Sequence, residues 1–273
     1  MGDSETPLRV GIFGLGTIGR AVAARLDQGI AGLQLVAVTS RDMHKAADAM
    51  TQFREPVPVV DSTELCERAD VIVECAPATA FREIAEAALR RARIFVPLSV
   101  GYILQAPELI ELARRKGARI IVPTGALLGL DAVRAAAEGE IHAVKVVTRK
   151  PPSGLAKAPY LAEQGIDVMQ LSEPLKVFEG PAREGVAGFP ANVNVVAALS
   201  LAGIGADRTQ LEIWADPTLR RNTHRIDVEA DSARFSLYIE NVPSDENPAT
   251  GRITALSVIA CLRGLVSPFK VGS

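Results

Sequence analysis

This chain of 273 residues is poor in aromatic side chains, cysteine and histidine, and it carries almost no net charge. Aromatic residues make up 4% of the sequence, there are three cysteines and three histidines, and the formal net charge is −2. The balanced charge argues against a nucleic-acid partner. Three widely spaced cysteines fit neither a disulfide framework nor a metal-ligand pattern. The sequence therefore predicts reduced thiols, no metal site and a cytoplasmic protein.

Long apolar runs are also missing. No run approaches the ~20 residues that a membrane-spanning helix needs, and the opening "MGDSETPLRVGIFG" lacks the basic-then-apolar pattern of a secretion signal. We therefore expect no membrane association. The length suffices for two domains, each with its own core.

Residues 1–124 alternate apolar strands with amphipathic helices. The strands are predicted at "LRVGIFG", "LQLVAVTS", "DVIVECA", "RIFVPLS" and "ARIIVPT". Strands that are apolar throughout and alternate with helices indicate a parallel sheet covered on both faces. The sequence thus predicts an α/β fold, with a Rossmann-type doubly wound sheet forming a dinucleotide-binding domain over residues 1–124.

A glycine motif lies between the first predicted strand and the first predicted helix. Gly14, Gly16 and Gly19, with Thr17 and Ile18 between the last two, form the pattern GxGxxG. The first glycine permits a tight turn, the second lets the backbone approach a pyrophosphate, and the third allows close packing of helix on strand. The pyrophosphate would lie at the positive end of the helix. The motif predicts an NAD or NADP site.

The end of the second strand should select between the two cofactors. An acidic residue there holds the ribose of NAD, whereas an arginine accommodates the extra phosphate of NADP. The sequence places Ser40 and Arg41 at this point and Asp42 one residue later. We expect NADP to be accepted, with NAD still possible, because Asp42 either contacts the ribose or caps the next helix.

Residues 125–245 predict a second, α+β domain for substrate binding and dimerisation. A helix is predicted in "GALLGLDAVRAAAEGE", and a later helix is expected to break near residues 188–190. Alternating strands at "HAVKVVTRK", "TQLEIWAD", "THRIDVEAD" and "ARFSLYIENV" indicate a mostly antiparallel sheet. The connection "PPSGLAKAPYLAEQG" is long enough to be a lid or functional loop. Residues 246–273 predict a strongly apolar helix that returns to the first domain and is buried there.

Three polar residues of the second domain are candidates for chemistry. His224 begins a predicted strand, and an imidazole can exchange protons near neutral pH. Asn222, two residues earlier, would share its face of an extended chain. Lys150, with Arg149 beside it, could hold a substrate carboxylate at a strand end. The alternative for His224 is a surface histidine, and for Lys150 a solvated charge.

Other polar residues of the apolar segments have less specific interpretations. An amide inside an apolar segment is costly unless it is hydrogen-bonded, so Asn192 or Asn194 is expected to contact the nicotinamide nucleotide. Glu74 and Cys75 end a parallel strand, where ligands bind, and are interpreted as pocket wall.

Several longer motifs together resemble the L-aspartate dehydrogenase family: "TGALLGLDA", "RKPP", "FPANVNVVAALSLAG", "ADPTLRRNTHRI" and "NPATGRITALS". The resemblance implies NAD(P)-dependent oxidation of a dicarboxylate amino acid, L-aspartate, by a homodimer. It also implies that His224 is the acid/base residue, and that Ala126 and Asn194 contact the nucleotide. The chain has "SVGYIL" where the family often has "SVGAL", so Tyr102 is expected to reshape the edge of the nicotinamide pocket.

Two other functions fit the same domain plan. A dihydrodipicolinate-reductase-like enzyme would reduce an imine within a cyclic dicarboxylate, but the histidine pair of such reductases is missing here. A non-catalytic nucleotide sensor would keep the glycine motif without needing His224 or Lys150, so fold alone does not separate these functions.

Overall fold

The computed structural model describes residues 6–76, 78–190, 193–244, 246 and 250–272. They belong to two units, one formed by Met1–Pro123 with Ala255–Val271 and the other centred on Thr124–Thr254.

The first unit contains a parallel sheet of five short strands. These are β1 (Leu8–Phe13), β2 (Leu33–Thr39), β3 (Val71–Glu74), β4 (Ile94–Pro97) and β5 (Arg119–Ile120). Its helices are α1 (Thr17–Asp27), α2 (Met43–Met50), α3 (Ser62–Arg68), α4 (Phe81–Arg90), α5 (Gly101–Gln105) and α6 (Glu108–Lys116). The spatial order β2-β1-β3-β4-β5 is parallel throughout. The order reverses direction between β1 and β3, and ligands of such sheets bind at the carboxyl ends of the strands at this point.

Short polar side chains start two of these helices. Asp42 accepts a hydrogen bond from the backbone N–H of Lys45 at the start of α2, and Asp61 accepts one from Glu64 at the start of α3. Both are N-caps, which supply a partner for an otherwise unpaired helix N–H. Helix α3 was not predicted from the sequence, because its seven residues give little helical periodicity.

The second unit contains a mixed sheet. Its strands are β6 (Ile141–Lys150), β7 (Leu175–Pro181), β8 (Thr209–Ala215), β9 (Asn222–Ala230) and β10 (Arg234–Asn241), and its helices are α7 (Leu130–Ala136), α8 (Pro159–Glu163), α9 (Ala182–Gly188) and α10 (Asn194–Ala202). The order is β10-β9-β6-β8-β7, in which only the β6–β8 pair is parallel. The predicted parallel first sheet and mostly antiparallel second sheet are therefore both confirmed, as is the helix break after Gly188.

Three details of the second unit differ from the prediction. Helix α7 begins only at Leu130, because Gly125 and Gly129 have left-handed backbone with φ of 65° and 70°. Strand β7 was missed because a register shift between Lys176 and Phe178 breaks its alternation and Pro181 ends it. The predicted lid is packed against the unit, since Leu155 and Leu161 are buried.

The last helix, α11 (Arg252–Val266), contributes to the core of the first unit. Val258 and Leu262 are fully buried there, beside Val22 of α1. The expectation of a helix buried on most of its surface is wrong, because Leu256 remains 61% exposed. Helix α11 therefore buries only one stripe of its surface, the one that carries Val258 and Leu262, in the core of the first unit.

Candidate active site

The three glycines of the GxGxxG motif occupy positions with different steric demands. Gly14 has φ of +103°, and a Cβ atom there would lie 2.8 Å from the carbonyl oxygen of Cys75. A Cβ atom on Gly19 would lie 1.9 Å from the carbonyl oxygen of Gly14, so helix α1 could not pack this closely on β1 with any side chain there. Gly16, by contrast, has open space, and its backbone is accessible to a ligand.

A cavity of about 520 Å³ opens at this turn. Backbone of the glycine turn and three cationic side chains, those of Arg20, Arg41 and Lys45, line it together with Thr17 and Ser40. Cations beside exposed backbone N–H groups at a helix N-terminus suit a ligand that carries phosphates. Arg20 and Lys45 were not among the residues predicted for this site. The available signal was their position: Arg20 directly follows Gly19 on α1, and Lys45 lies on α2 shortly after Asp42.

The residues after β2 have separate tasks. Ser40 and Arg41 line the cavity, as their sequence position suggested. Asp42 also lines it, but its Oδ1 accepts the backbone N–H of Lys45 at 3.0 Å. Of the two roles left open for Asp42, the structure shows the helix cap. Ile18 does not line the cavity but packs against the core.

Glu74, at the end of β3, is fully buried and accepts four hydrogen bonds. Its two carboxylate oxygens accept the backbone N–H groups of Ala76, Leu98 and Ser99 and the hydroxyl of Ser99, at 3.0–3.2 Å. Burial raises the pKa of this carboxyl group, while the four donors favour its ionised form. Glu74 thus joins the segments after β3 and β4 and does not itself line the cavity, whereas Cys75 does.

A second polar site lies on the second unit's sheet. Residues directly opposite one another on neighbouring strands share a face, and Thr148 of β6, His224 of β9 and Ile239 of β10 form one such row. Two residues further towards the same end of the strands are Lys150 on β6, Asn222 on β9 and Asn241 on β10, the last two directly opposite each other. Most of the rest of this face is apolar and includes Val144, Val146, Ile226, Val228, Leu211 and Ile213, with the buried Thr209 as an exception opposite Val144. Polar groups are therefore concentrated at one end of an apolar surface.

His224 is buried, with 3% of its surface exposed. The interpretation of a surface histidine is therefore wrong. Its Nδ1 lies 3.0 Å from the hydroxyl oxygen of Thr148, which leaves Nε2 as the ring nitrogen without a partner among the described residues. Burial, assisted by the positive charge of Lys150, lowers the pKa of His224 to about 3. The imidazole is therefore neutral at physiological pH, and its pKa is far below the reference value of about 6.5 assumed from the sequence.

Lys150 is buried at the end of β6, so it is not a solvated charge. Burial lowers its pKa to about 8, so the ammonium form predominates at neutral pH but at an electrostatic cost. Arg149 does not share this environment. Its guanidinium lies over the Trp214 ring and pairs with Asp216 at 3.2 Å.

Asn222 is half-buried at the start of β9, on the same face as His224. The turn at Pro152–Gly154 passes close to it, since a Cβ atom on Gly154 would lie 4.0 Å from Asn222 Oδ1 and 3.9 Å from Lys150 Cβ. A narrow cleft too tight to admit a water molecule adjoins these residues, and it is lined by Thr148, Lys150, Val193, Val196, Leu211 and Ile213. The structure thus brings His224, Asn222 and Lys150 onto one face.

The remaining predicted contacts are more dispersed. Ala126 lies between Gly125 and Leu127, and its carbonyl oxygen accepts the side-chain N–H of Asn241 at 3.0 Å. Asn194 is the first residue of α10 and is exposed, so it is not an amide inside an apolar segment. Asn192 lies outside the described residues. The Tyr102 ring packs on Phe81, with centroids 5.5 Å apart.

Two further properties concern only the part of the chain that the structure describes. No three His, Cys, Asp or Glu side chains there come together in a way that could hold a metal ion. The helices there are all too short or too polar to cross a membrane.

Protein-family models match both halves of the chain. Residues 131–265 match the family described as "Aspartate dehydrogenase, C-terminal", and residues 14–123 match "Homoserine dehydrogenase, NAD binding domain". The solved structure of aspartate dehydrogenase from Thermotoga maritima has a TM-score of 0.73 with 23% identity, covering 97% of this chain and 99% of that one. That likeness supports the two-part fold.

Sequence relatives are considerably more similar. The L-aspartate dehydrogenase of Bradyrhizobium diazoefficiens is 56% identical over 270 residues, covering 99% of this chain and 96% of the relative. L-aspartate dehydrogenase 3 of Bordetella bronchiseptica is 52% identical over 272 residues, covering 99% and 100%. Identity at this level over nearly the full length shows the family: the chain belongs to the L-aspartate dehydrogenases.

Proposed function

We propose that this chain oxidises L-aspartate with NAD(P)⁺ to iminosuccinate, which water converts to oxaloacetate and ammonia. The Cα hydride passes to the nicotinamide, and the amino group loses a proton. The observation that carries the proposal is the polar cluster of Lys150, Asn222 and His224 at the end of an apolar sheet face, in a chain so similar to enzymes named for this activity. Family membership disfavours the reductase-like and sensor alternatives.

The glycine turn is proposed to hold the cofactor, which supplies the hydride acceptor. Gly14 and Gly19 have no room for a side chain, while Gly16, which has open space around it, caps helix α1. N–H groups at a helix N-terminus favour phosphate oxygens. Ile18 would act through packing, because it does not reach the cavity. Ala126 and Asn194 are kept as nucleotide contacts on the strength of the family resemblance.

We propose that NADP is accepted at least as well as NAD. Arg41, Lys45 and Ser40 line the cavity and could receive the 2′-phosphate. Among the described residues of that lining, Asp42 is the one acidic side chain, and its carboxylate already accepts the backbone N–H of Lys45. The cationic lining therefore outweighs the single carboxylate.

Lys150 is proposed to hold a substrate carboxylate. An ammonium group buried on a mostly apolar face is costly, and an anion bound beside it offsets that cost. Asn222 offers an amide on the same face for orienting the substrate or a water molecule. A dicarboxylate is thus favoured over a monocarboxylate because the site already carries positive charge.

His224 is proposed as the residue that exchanges a proton with the substrate amine or the attacking water. Thr148 fixes the ring through Nδ1, so Nε2 is the nitrogen left for this task. With a pKa of about 3, the imidazole is a weak base until substrate arrives. A bound dicarboxylate would compensate the charge of Lys150 and raise the pKa of His224, because nearby anions favour the protonated ring. Substrate binding and proton acceptance are therefore coupled.

A homodimer is proposed from the family resemblance. The face of β10 opposite the polar cluster leaves Tyr238 60% exposed, and Arg225, opposite it on β9, is also exposed. Large exposed aromatic side chains and arginine are common at protein interfaces. Light scattering should give twice the chain mass of 28.9 kDa, and Tyr238→Glu should shift the mass towards the monomer. A monomeric wild-type protein would refute this assignment.

A substrate panel tests the proposed activity. Reduced nicotinamide formation is followed by absorbance with L-aspartate, L-glutamate, L-alanine and L-malate, each with NAD⁺ and with NADP⁺. We expect L-aspartate to give the highest kcat/KM. Comparable rates with L-malate would point to a hydroxy-acid oxidoreductase instead.

A further inference from the structure

Asn241 is a buried polar residue to which neither the sequence motifs nor the proposed chemistry gives a role. It is the last residue of β10, 3% exposed, and directly opposite Asn222 of β9. It therefore lies on the same sheet face as His224, in the row that also contains Asn222. Asn241 is thus an additional polar member of that cluster.

The orientation of the Asn241 amide is fixed by its hydrogen bond. Its Nδ2 donates to the carbonyl oxygen of Ala126 at 3.0 Å, and a carbonyl oxygen can accept only from the NH₂ end of an amide. The other end, Oδ1, is sealed from solvent and has no hydrogen-bond partner among the described residues. Gly251 allows the close packing on this side, because a Cβ atom there would lie 3.2 Å from Oδ1.

The segment that contains Ala126 depends on β10 for its position. It runs between two left-handed glycines, Gly125 and Gly129, and precedes helix α7. A Cβ atom on Gly129 would lie 2.5 Å from Leu237 Cδ1, so the backbone at that glycine packs directly on a β10 side chain. Strand β10 thus holds the segment at two points, through Leu237 by packing and through Asn241 by a hydrogen bond.

We propose that Asn241 is a positioning residue for the nicotinamide half of the cofactor, acting through Ala126. This inference rests on the proposed function, in which Ala126 contacts the nucleotide and hydride transfer brings the nicotinamide to the cluster that contains Asn222, directly opposite Asn241. Holding the Ala126 carbonyl fixes the backbone at that contact before the cofactor arrives, and such preorganisation improves affinity by reducing the ordering that binding requires.

The unpaired Oδ1 of Asn241 is the reason to assign this residue a role in cofactor binding rather than a role in stability alone. A buried polar atom without a partner costs stability, and an apolar side chain of similar size would avoid that cost. The single hydrogen bond to Ala126 roughly offsets that cost, so the net contribution of Asn241 to stability should be small. Asn241 should therefore contribute to cofactor affinity more than to the stability of the fold.

Binding of two ligands separates these possibilities. NADPH carries the nicotinamide, whereas 2′-phospho-ADP-ribose has the same adenine half and lacks it. Dissociation constants for both are measured by calorimetry on the full-length wild type, Asn241→Leu and Asn241→Asp, with melting temperatures recorded alongside. Leucine removes the hydrogen bond and the unpaired oxygen together, while aspartate keeps the shape but presents a carboxylate that cannot donate to Ala126.

We expect both variants to bind NADPH about tenfold more weakly, the effect of losing one positioned hydrogen bond, and to bind 2′-phospho-ADP-ribose like the wild type. Asn241→Leu should melt no lower than the wild type. Ser200→Ala is the matched control, because Ser200 Oγ is also buried without a partner among the described residues. That variant should leave both affinities unchanged.

Equal losses for the two ligands, or unchanged NADPH affinity, would overturn the role of Asn241. If Asn241→Leu fails to fold, Asn241→Asp and Asn241→Ser decide the matter by the same comparison. A wild-type protein that binds neither ligand would instead refute the proposed cofactor site.

Discussion

Arg149 and Lys150 are consecutive cations on β6, but they lie on opposite faces of the sheet. Arg149 is 38% exposed, stacks on Trp214 and pairs with Asp216, whereas Lys150 is buried beside His224. Alternation along an extended strand produces this separation. A substitution of Arg149 is therefore a matched control for the same substitution of Lys150.

Lys150→Met should raise the KM for L-aspartate by at least tenfold, because it removes the cation proposed to hold a carboxylate. The same variant should be more stable at pH 7 by about 3 kcal/mol. Burial lowers the pKa of Lys150 from 10.5 to about 8, so its stability penalty is complete below pH 8 and disappears as the pH rises to 10.5. Steady-state kinetics and urea unfolding measure the two effects. Arg149→Met should leave the KM unchanged. An unchanged KM in Lys150→Met would show that Lys150 does not bind the substrate carboxylate.

The pH dependence of the KM should follow Lys150 rather than His224. The ammonium form is present below its pKa of about 8 and is lost above it, so the KM for aspartate should rise as the pH increases beyond 8. No limb is expected near pH 6.5, since the pKa of His224 in the substrate-free protein is about 3. In Lys150→Arg, which stays charged, the alkaline rise should disappear. If the KM of Lys150→Arg still rises above pH 8, that rise must come from the titration of another group.

The glycine turn is expected to bind the cofactor through its backbone. Gly16→Val should leave the fold intact, because open space surrounds that position, but it places a branched side chain where the pyrophosphate would lie. Calorimetry should show a loss of at least a hundredfold in NADPH affinity. Gly264→Val, at a helix position that also has open space, serves as the control. Unchanged affinity in a folded Gly16→Val protein would contradict the assignment.

Arg41 is expected to discriminate between the two cofactors. Arg41→Ala removes a charge-assisted contact to the 2′-phosphate, of about 1.5–3 kcal/mol, and should weaken NADP⁺ binding much more than NAD⁺ binding. Lys116→Ala, in the last turn of α6 and outside the cavity, is the matched control. If Arg41→Ala weakens both cofactors equally, the 2′-phosphate must lie elsewhere.

Local sequence signals were enough to predict the glycine turn and the parallel sheet. A motif such as Gly14 to Gly19 sits within one turn of chain, and apolar strands alternate with helices at short range. Ser40 and Arg41 were predicted beside the glycine turn for the same reason, since they directly follow β2, and both line the cavity.

Contacts between distant residues could not be anticipated in the same way. Thr148 and His224 are 76 residues apart and meet only through the register of β6 and β9. Alternation did offer one signal, since Thr148 lies two residues before Lys150 and must share its face. The low pKa of His224 arises from burial within that three-dimensional arrangement, which no local pattern contains. Strand β7 lacked a regular alternation, because its pairing with β8 shifts register between Lys176 and Phe178.

Hydride transfer from aspartate at the His224 site is the central claim, and deuterium labelling tests it directly. The purified protein is incubated with L-aspartate deuterated at Cα and with NADP⁺, and the reduced cofactor, oxaloacetate and ammonia are quantified. We predict equal amounts of the three products, with deuterium at nicotinamide C4. His224→Ala should give the same products at a rate lower by ~10²–10⁴-fold, with NADPH affinity unchanged. Reduced cofactor without deuterium, or a His224→Ala rate within a few-fold of wild type, would contradict the account.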